Sequence, residues 1–163
     1  MIERVLHTSR DEATAVLRIV LGMVFIAHGA QLLLGWFGGP GLEGAIGYFT
    51  GVLGIPWFVA VLVIVAQFFG GLGLIVGLLS RIAAAGIALV MVGAIVTVHA
   101  QVGFFMNWSG QMSAGAEGWE FHLLAVAMAV VVVIRGSGAF SLDLRLADRL
   151  RRSESLAPTR AAA

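Results

Sequence analysis

The amino-acid sequence predicts an all-α membrane protein: a bundle of four transmembrane helices, N-in/C-in, followed by an amphipathic interfacial helix. Of its 163 residues, 60% are hydrophobic and 12% are charged, and the mean hydropathy is +0.99. A soluble domain this short could not bury so much apolar surface. The apolar residues form four continuous runs rather than alternating with polar ones, which favours helices over barrel strands. The arginines also gather on one side of the predicted bundle, which gives it an orientation.

The first two predicted transmembrane helices cover residues 13–34 and 56–79. Each exceeds the ~20 helical residues that a hydrocarbon core of ~30 Å requires. Small residues crowd the second helix, at Gly70, Gly71, Gly73 and Gly77. Such residues let helices approach closely, either within the chain or between two copies of it.

The third and fourth predicted helices cover residues 82–105 and 119–138. The third follows a tight turn at Ser80 and Arg81. The fourth is the shortest, because its apolar run ends at Ile134, although Phe140 and Leu142 could extend it.

The connections orient the bundle. Neither of the two long loops, 35–55 and 106–118, contains an arginine, whereas the short turn holds Arg81 and the C-terminal segment holds five more. The positive-inside rule therefore places the turn and both termini in the cytoplasm. All four tryptophans fall at the opposite face, where an aromatic belt is expected: Trp36, Trp57, Trp108 and Trp119.

The C-terminal segment is predicted to be a short amphipathic helix over residues 141–152. Leu142, Leu146 and Leu150 share one helical face and arginines occupy the rest, as in helices that lie on a membrane surface. Residues 153–163 are predicted to be a disordered tail.

Polar side chains within the apolar runs indicate where chemistry could occur. His28, His99 and His122 come from three different helices, all in the outer third of the predicted bundle, and Glu120 opens the fourth helix there. Gln67 lies about halfway along the second helix. Arg18 lies near the inner end of the first, where it either reaches the head groups or pairs with a carboxylate or carbonyl inside the bundle.

Two kinds of site fit the histidine cluster. The three imidazoles could hold a metal ion or haem, or they could serve as polar partners of a quinone head group. We predict Glu120 and His122 as catalytic residues, with Glu120 relaying protons. We predict His28, His99, Gln67 and Arg18 as cofactor-binding residues. Each histidine could instead simply be packed or solvated, and Glu120 could simply favour the helix N-terminus.

Several motifs, taken in their order along the chain, resemble those of the DoxX family of four-helix inner-membrane proteins. They are His28-Gly29-Ala30-Gln31 followed by Gly35-Trp36-Phe37-Gly38-Gly39-Pro40-Gly41, then Gly70-Gly71, Gly77-Leu78-Leu79-Ser80-Arg81, His99, Gly103-Phe104-Phe105, Glu120 and Ser141-Leu142-Asp143. The resemblance covers roughly residues 14–144. It implies a multi-pass protein of the bacterial inner (plasma) membrane. The family is named after a subunit of a thiosulfate:quinone oxidoreductase, and other members are linked to redox-stress complexes.

This chain departs from the family pattern at two positions. Leu32 stands where the family usually has lysine, and Gln67 stands where it usually has an acidic residue. Losing a cation and an anion together can be nearly neutral if the two had paired. The departure argues against a mechanism that needs a carboxylate in the middle of the membrane.

The sequence leaves three functions open. The first is a quinone-linked redox enzyme or a subunit of one. Because the chain has no cysteine, its electrons would come from a partner redox protein. The second is a non-catalytic membrane anchor or assembly subunit, and the third is a small-solute channel or transporter, which fits poorly because the polar stripe fades inward. The near-neutral net charge of +1 gives no nucleic-acid footprint. The expected partners are the lipid bilayer and either a redox protein or a second copy of the chain.

Overall fold

The computed structural model describes residue 6 and residues 8–113 and 116–156, and none of these residues forms a strand. Helix α1 spans Glu12–Leu34. Asp11 caps its first turn by accepting a hydrogen bond from the Ala13 amide at 3.1 Å. The helix ends at Gly35, whose left-handed backbone (φ 71°) few other residues adopt readily.

The connection after α1 contains a helix that the sequence did not predict. A short 3₁₀ turn at Trp36–Gly38 leads to α2, Gly41–Gly47, which continues as a π-helical turn over Tyr48–Val52. Three glycines in seven residues weaken intrinsic helix propensity, so nothing in the local sequence indicated a helix. Packing against α1 supports it instead.

The next two helices are joined by a tight turn, which lies at residues 77–79 rather than at the predicted Ser80 and Arg81, because those two residues begin the following helix. Helix α3 spans Trp57–Val76 and ends at Gly77 (φ 71°). Helix α4 spans Ser80–Ala94 and continues as a π-helical turn over Ile95–His99. Both π-helical turns contain a threonine whose hydroxyl donates to the carbonyl four residues earlier, Thr50 to Ile46 and Thr97 to Gly93, each at 2.8 Å. Such back-bonding commonly distorts a helix.

The predicted end of the third membrane helix, residue 105, is wrong, because the helical backbone stops at His99. The segment after it turns to pair with the start of the next helix. The amides of Gly118, Trp119 and Glu120 donate to the carbonyls of Phe105, Gly103 and Phe104 at 2.9–3.2 Å. These bonds satisfy amides at the helix start that otherwise lack partners.

Helix α5 spans Glu120–Arg135 and is therefore shorter than the predicted 119–138. A compact turn follows, and then α6 at Leu142–Leu156. The predicted tail began at residue 153, but the helix includes Ser153–Leu156, which corrects that boundary. The remainder of the predicted tail, 157–163, lies outside the described residues.

The four long helices α1, α3, α4 and α5 pack around one apolar core that contains Phe25, Leu74, Ile87 and Val132. Glycines bring α1 and α3 close together. A Cβ on Gly22 would lie 2.8 Å from the Gly71 carbonyl oxygen, and one on Gly71 would lie 2.5 Å from the Ile26 amide nitrogen. Gly70 and Gly73 face Ala83 of α4. The glycines of the second predicted helix thus serve packing within the chain.

Within the described residues, three helical segments are long and apolar enough to cross a membrane: Glu12–Leu34, Trp57–Val76 and Ser80–His99. Helix α5 is apolar but has only 16 residues. The bundle has two distinct ends. The arginine end, with Arg18, Arg81 and Arg135, is where α1 and α4 begin and where α3 and α5 finish. The histidine end, with His28, His99 and His122, is where α1 and α4 finish and α5 begins.

Candidate functional site at the histidine end

Two histidines from neighbouring helices stack on one another at the histidine end. His99 comes from the π-helical turn that closes α4, and His122 comes from the first turn of α5. Their ring centroids are 4.0 Å apart, with an angle of 41° between the ring planes. His122 is buried, with 6% of its surface exposed, whereas His99 is half-buried. The sequence predicted that His28, His99 and His122 lie close together, and in the structure His99 and His122 are in direct contact.

A hydrogen bond determines the tautomer of His99. Its Nδ1 lies 2.7 Å from the backbone carbonyl oxygen of Glu117. Because a carbonyl oxygen only accepts hydrogen bonds, Nδ1 must carry the hydrogen and donate it. In the neutral ring Nε2 is then left as a hydrogen-bond acceptor.

His122 has a buried polar atom without a partner. Its Nδ1 is shielded from solvent and makes no hydrogen bond of ordinary geometry to any described residue. The Gly118 carbonyl, one turn earlier, lies near enough to interact electrostatically but outside that geometry. Buried polar groups are nearly always paired, so an unpaired one indicates strain, a functional role or a missing ligand.

His28 lies beside the stacked pair rather than in it. Its ring centroid is 6.4 Å from those of Phe25 and Phe121, and Phe121 in turn contacts His122 at 5.7 Å. The side chain is exposed, and its Nδ1 lies 3.1 Å from Oε1 of Gln31. Among the described residues, no group of three or more His, Cys, Asp or Glu side chains is arranged to hold a metal ion. The predicted three-histidine metal site therefore has no counterpart in this geometry.

Glu120 holds the neighbouring loop. Its Oε2 accepts hydrogen bonds from the Met106 amide at 3.1 Å and from Trp108 Nε1 at 3.3 Å. Glu117 accepts from the Asn107 amide at 2.7 Å in the same loop. Both carboxylates thus tie the 106–108 segment over the start of α5. The predicted proton-relay role of Glu120 would require its carboxylate to weaken or give up these hydrogen bonds.

Gln67 and Arg18 lie apart from the histidine pair. Gln67 is buried near the middle of α3, where its backbone passes close to Gly29 of α1. Arg18 is fully buried at the arginine end. Its guanidinium donates to five backbone carbonyls, those of Leu74, Ile75, Ser137, Ala139 and Phe140.

A guanidinium has five N–H donors, so Arg18 has none left for a cofactor. The predicted cofactor-binding role of Arg18 is therefore not supported by this geometry. Of the two alternatives that the sequence left open, the structure has the buried cation that pairs with carbonyls.

Sequence reasoning missed the importance of Asp143. This fully buried carboxylate accepts hydrogen bonds from the amides of Leu79 and Ser80 at 2.7 and 3.0 Å, and from the Ser137 hydroxyl at 2.6 Å. Ser137 also accepts from Arg18 Nε through its carbonyl at 2.7 Å. One residue thereby links the buried cation to the buried anion. The available signals were its place in the Ser141-Leu142-Asp143 motif and in the first turn of α6.

The architecture defines this protein as an all-helical protein with several membrane-spanning helices, one end closed by an arginine–aspartate network and the other carrying a histidine pair. The chain belongs to the DoxX family, whose model matches residues 13–100, more than half of its length. This confirms the resemblance that the sequence motifs indicated.

The chain is also similar to a curated protein of Bacillus subtilis (strain 168) named "Putative oxidoreductase CatD". The two are 29% identical over 138 residues, which cover 85% of this chain and 90% of that protein. No solved structure matches the chain significantly.

Proposed function

We propose that this chain is a quinone-linked redox membrane protein, working as an enzyme or as a subunit of one, with its site at the histidine end. The observation that carries the proposal is the buried Nδ1 of His122, which has no hydrogen-bond partner among the described residues and belongs to a ring whose centroid is 4.0 Å from that of His99. Family membership and the oxidoreductase name of the Bacillus relative add support.

The proposed topology has four transmembrane helices and both termini in the cytoplasm of a bacterial inner membrane. Helix α5 packs against α4 and α1 like the other three, and its 16 residues, all but three of them apolar, cross most of a ~30 Å core at 1.5 Å per residue. Arg10, Arg18, Arg81, Arg135 and Arg145 all belong to the arginine end, which agrees with the positive-inside rule. The histidine end then faces outward.

The donor set of the histidine pair suits a quinone better than a haem. The ring centroids of His99 and His122 are only 4.0 Å apart, which leaves no room for a porphyrin between them. A quinone supplies two-electron, two-proton redox chemistry. Its head group needs hydrogen-bond partners that can accept from a hydroxyl and donate to a carbonyl.

His99 and His122 offer these two capacities. With Nδ1 bonded to the Glu117 carbonyl, His99 presents Nε2 as an acceptor for the hydroxyl of a reduced quinone. The Nδ1 of His122 makes no hydrogen bond of ordinary geometry to a described residue, so it is available to an oxygen of the head group. His28, exposed beside Phe121, would flank the head group. This arrangement favours binding of the hydroxyl-bearing form by His99.

The chain contains no cysteine, so it has neither a dithiol couple nor ligands for an iron–sulfur cluster. A partner redox protein is therefore proposed to supply the electrons. Glu120 keeps the 106–108 loop against the site and so limits its exposure to water.

The experiment is to purify the full chain, reconstitute it in nanodiscs with a ubiquinone or menaquinone, and measure bound quinone per protein by extraction. Wild-type protein should retain the quinone above the level of empty nanodiscs. His122→Leu and His99→Leu should lose it, and Val96→Leu, at an exposed position of the same π-helical turn as His99, should not. Equal quinone retention in all four proteins would overturn the proposal.

The second candidate is a non-catalytic anchor or assembly subunit. The observation that favours it is how completely the buried charges serve packing, with Arg18 and Asp143 joining four segments of the chain. It predicts that histidine variants leave the redox activity of any associated partner unchanged while the quinone content of the protein stays at background.

A further inference from the structure

A cleft at the arginine end has no role in the proposed redox site. It lies between the start of α1 and the start of α6 and has a volume of about 370 Å³. Its lining includes two guanidinium groups, Arg10 and Arg145, and two carboxylates, Glu12 and Asp148. Its charge is therefore balanced, with both signs close together.

Part of this charge is uncommitted. Asp148 forms ion pairs with Arg10 at 3.2 Å and with Arg151 at 2.9 Å, and all three side chains are accessible to solvent. Exposed pairs of this kind contribute little and exchange readily for another partner. The side chains of Arg145 and Glu12 make no hydrogen bond or ion pair with the residues that the structure describes. The cleft thus offers Arg145 and Glu12 to a ligand directly. It also offers Arg10 and Asp148 once the ion pair between them is broken.

The rim of the cleft includes an exposed apolar side chain whose backbone has an unfavourable conformation. Phe140 is 78% exposed and has a left-handed backbone (φ 52°), which is unfavourable for a residue with a side chain. Arg18 fixes this turn through hydrogen bonds to the carbonyls of Ala139 and Phe140 at 3.4 and 3.3 Å. The fold therefore maintains strain that leaves a phenyl ring exposed beside four charged groups.

The neighbouring helix α6 continues the apolar rim. Leu142, Leu146 and Leu150 recur every four residues and are 38–40% exposed. Such a stripe, flanked by arginines, suits the boundary between lipid tails and head groups. Phe140 and these leucines place the cleft at the depth of phospholipid head groups.

We propose that this cleft binds a phospholipid whose head group carries both a phosphate and a primary amine, as phosphatidylethanolamine does. The guanidinium groups of Arg10 and Arg145 would bind the phosphate, for which arginine geometry is well suited. The carboxylates of Glu12 and Asp148 would accept hydrogen bonds from the ammonium group. An acyl chain would lie against Phe140. The balanced charge selects the zwitterionic lipid over an anionic one, since an anionic head group leaves both carboxylates unmatched. The site is independent of any redox activity.

The test is native mass spectrometry of the full-length protein in detergent, titrated with phosphatidylethanolamine or phosphatidylglycerol of identical acyl chains. Wild-type protein should bind phosphatidylethanolamine about tenfold more tightly, the equivalent of about one charged hydrogen bond. Arg145→Gln should weaken both lipids. Glu12→Gln should remove the preference while keeping phosphatidylglycerol binding.

Two controls locate the site and its ligand. Arg149→Gln, one helical turn beyond Arg145 on the exposed surface of α6, should leave both affinities unchanged. Soluble glycerophosphoethanolamine should not compete at lipid concentrations that saturate the protein, because it lacks the acyl chains. Equal or tighter phosphatidylglycerol binding by wild-type protein, an equal loss in Arg149→Gln, or effective competition by the soluble head group would each overturn the proposal.

Phe140→Gly separates lipid binding from folding. Glycine adopts a left-handed backbone freely, so this variant should unfold at a higher temperature than wild type while binding phosphatidylethanolamine more weakly. A destabilised Phe140→Gly with unchanged lipid affinity would assign the phenyl ring to packing and would contradict its role at the cleft.

Discussion

The two ends of the bundle treat buried polar groups in opposite ways. At the arginine end, every N–H of the Arg18 guanidinium donates to a carbonyl, and Asp143 accepts three hydrogen bonds. At the histidine end, the buried Nδ1 of His122 has no hydrogen-bond partner within the described part of the chain, although a second imidazole lies against it. The first arrangement is what a fold requires of a buried charge. The second weakens the fold and is expected where a ligand completes the bonding.

The arginine end also has one unpaired atom, the buried hydroxyl oxygen of Ser80. Its surroundings differ from those of His122. Ser80 is fully enclosed, whereas His122 adjoins the half-buried His99 and, through Phe121, the exposed His28. An unpaired polar atom therefore indicates a ligand site only where an opening reaches it. The difference can be tested by substitutions at each end.

The largest effect is expected from Arg18→Met, which leaves five backbone carbonyls without their donor and removes the buried cation that interacts electrostatically with Asp143. Leaving a buried polar group unsatisfied costs about 1–3 kcal/mol, so the total loss should exceed about 3 kcal/mol. Titration of the purified protein with a denaturing detergent would measure the free energy of unfolding. Arg149→Met, at an exposed position of α6, should change it by less than about 0.5 kcal/mol. A loss below about 1 kcal/mol for Arg18→Met would show that the carbonyls and Asp143 find other partners.

The second effect compares glycines with positive φ at the two ends. Gly77→Ala combines left-handed strain (φ 71°) with a collision against Ser141 and, at 2.9 Å, against Arg18 Nη1. It should cost about 2–4 kcal/mol. Gly103→Ala, near the histidine end, meets nothing within 4 Å (φ 113°) and should cost only the strain, about 1–2 kcal/mol. Equal losses of unfolding free energy for the two variants would indicate that the residues packed around Gly77 can shift to accommodate the added methyl group.

The third effect has the opposite sign. His122→Leu replaces an unpaired buried imidazole with an apolar side chain of similar size and should raise the free energy of unfolding by about 1 kcal/mol. Ser80→Ala is the matched control, since it removes the unpaired atom of the arginine end and should also stabilise slightly. Only His122→Leu should abolish quinone retention in nanodiscs. A destabilised His122→Leu would mean that Nδ1 has a partner within the protein after all.

The sequence predicted the helical class, a tight turn between the second and third long helices and the gathering of His28, His99 and His122 at one end of the bundle, because these depend on apolar run length and on positions along a helix. It could not predict that every N–H group of the Arg18 guanidinium donates a hydrogen bond to a backbone carbonyl. That depends on carbonyls freed at the end of α3 and in the turn after α5, which only the tertiary arrangement brings together. For the same reason the sequence could not distinguish a carboxylate that ties a loop, as Glu120 does, from one that relays protons.

The smallest effect concerns Asp11, which caps α1 at the arginine end. A hydrogen bond from the Thr14 hydroxyl at 2.6 Å, together with the Ala13 and Thr14 amides and the nearby Arg135, lowers the pKa of Asp11 below its ordinary value of 3.8, against an opposing effect of partial burial. A carboxylate whose pKa is lower in the folded state stabilises the fold above its unfolded pKa. That stabilisation should therefore begin to decline near pH 3.8 and be lost as the pH falls through the folded value. Thermal unfolding in detergent between pH 6 and pH 2.5 should show a steeper decline for wild type than for Asp11→Asn, which keeps a capping oxygen but cannot titrate. Parallel curves would place the acid sensitivity of the protein elsewhere, with the carboxylates Glu117 and Glu120 that tie the loop at the histidine end as the next groups to substitute.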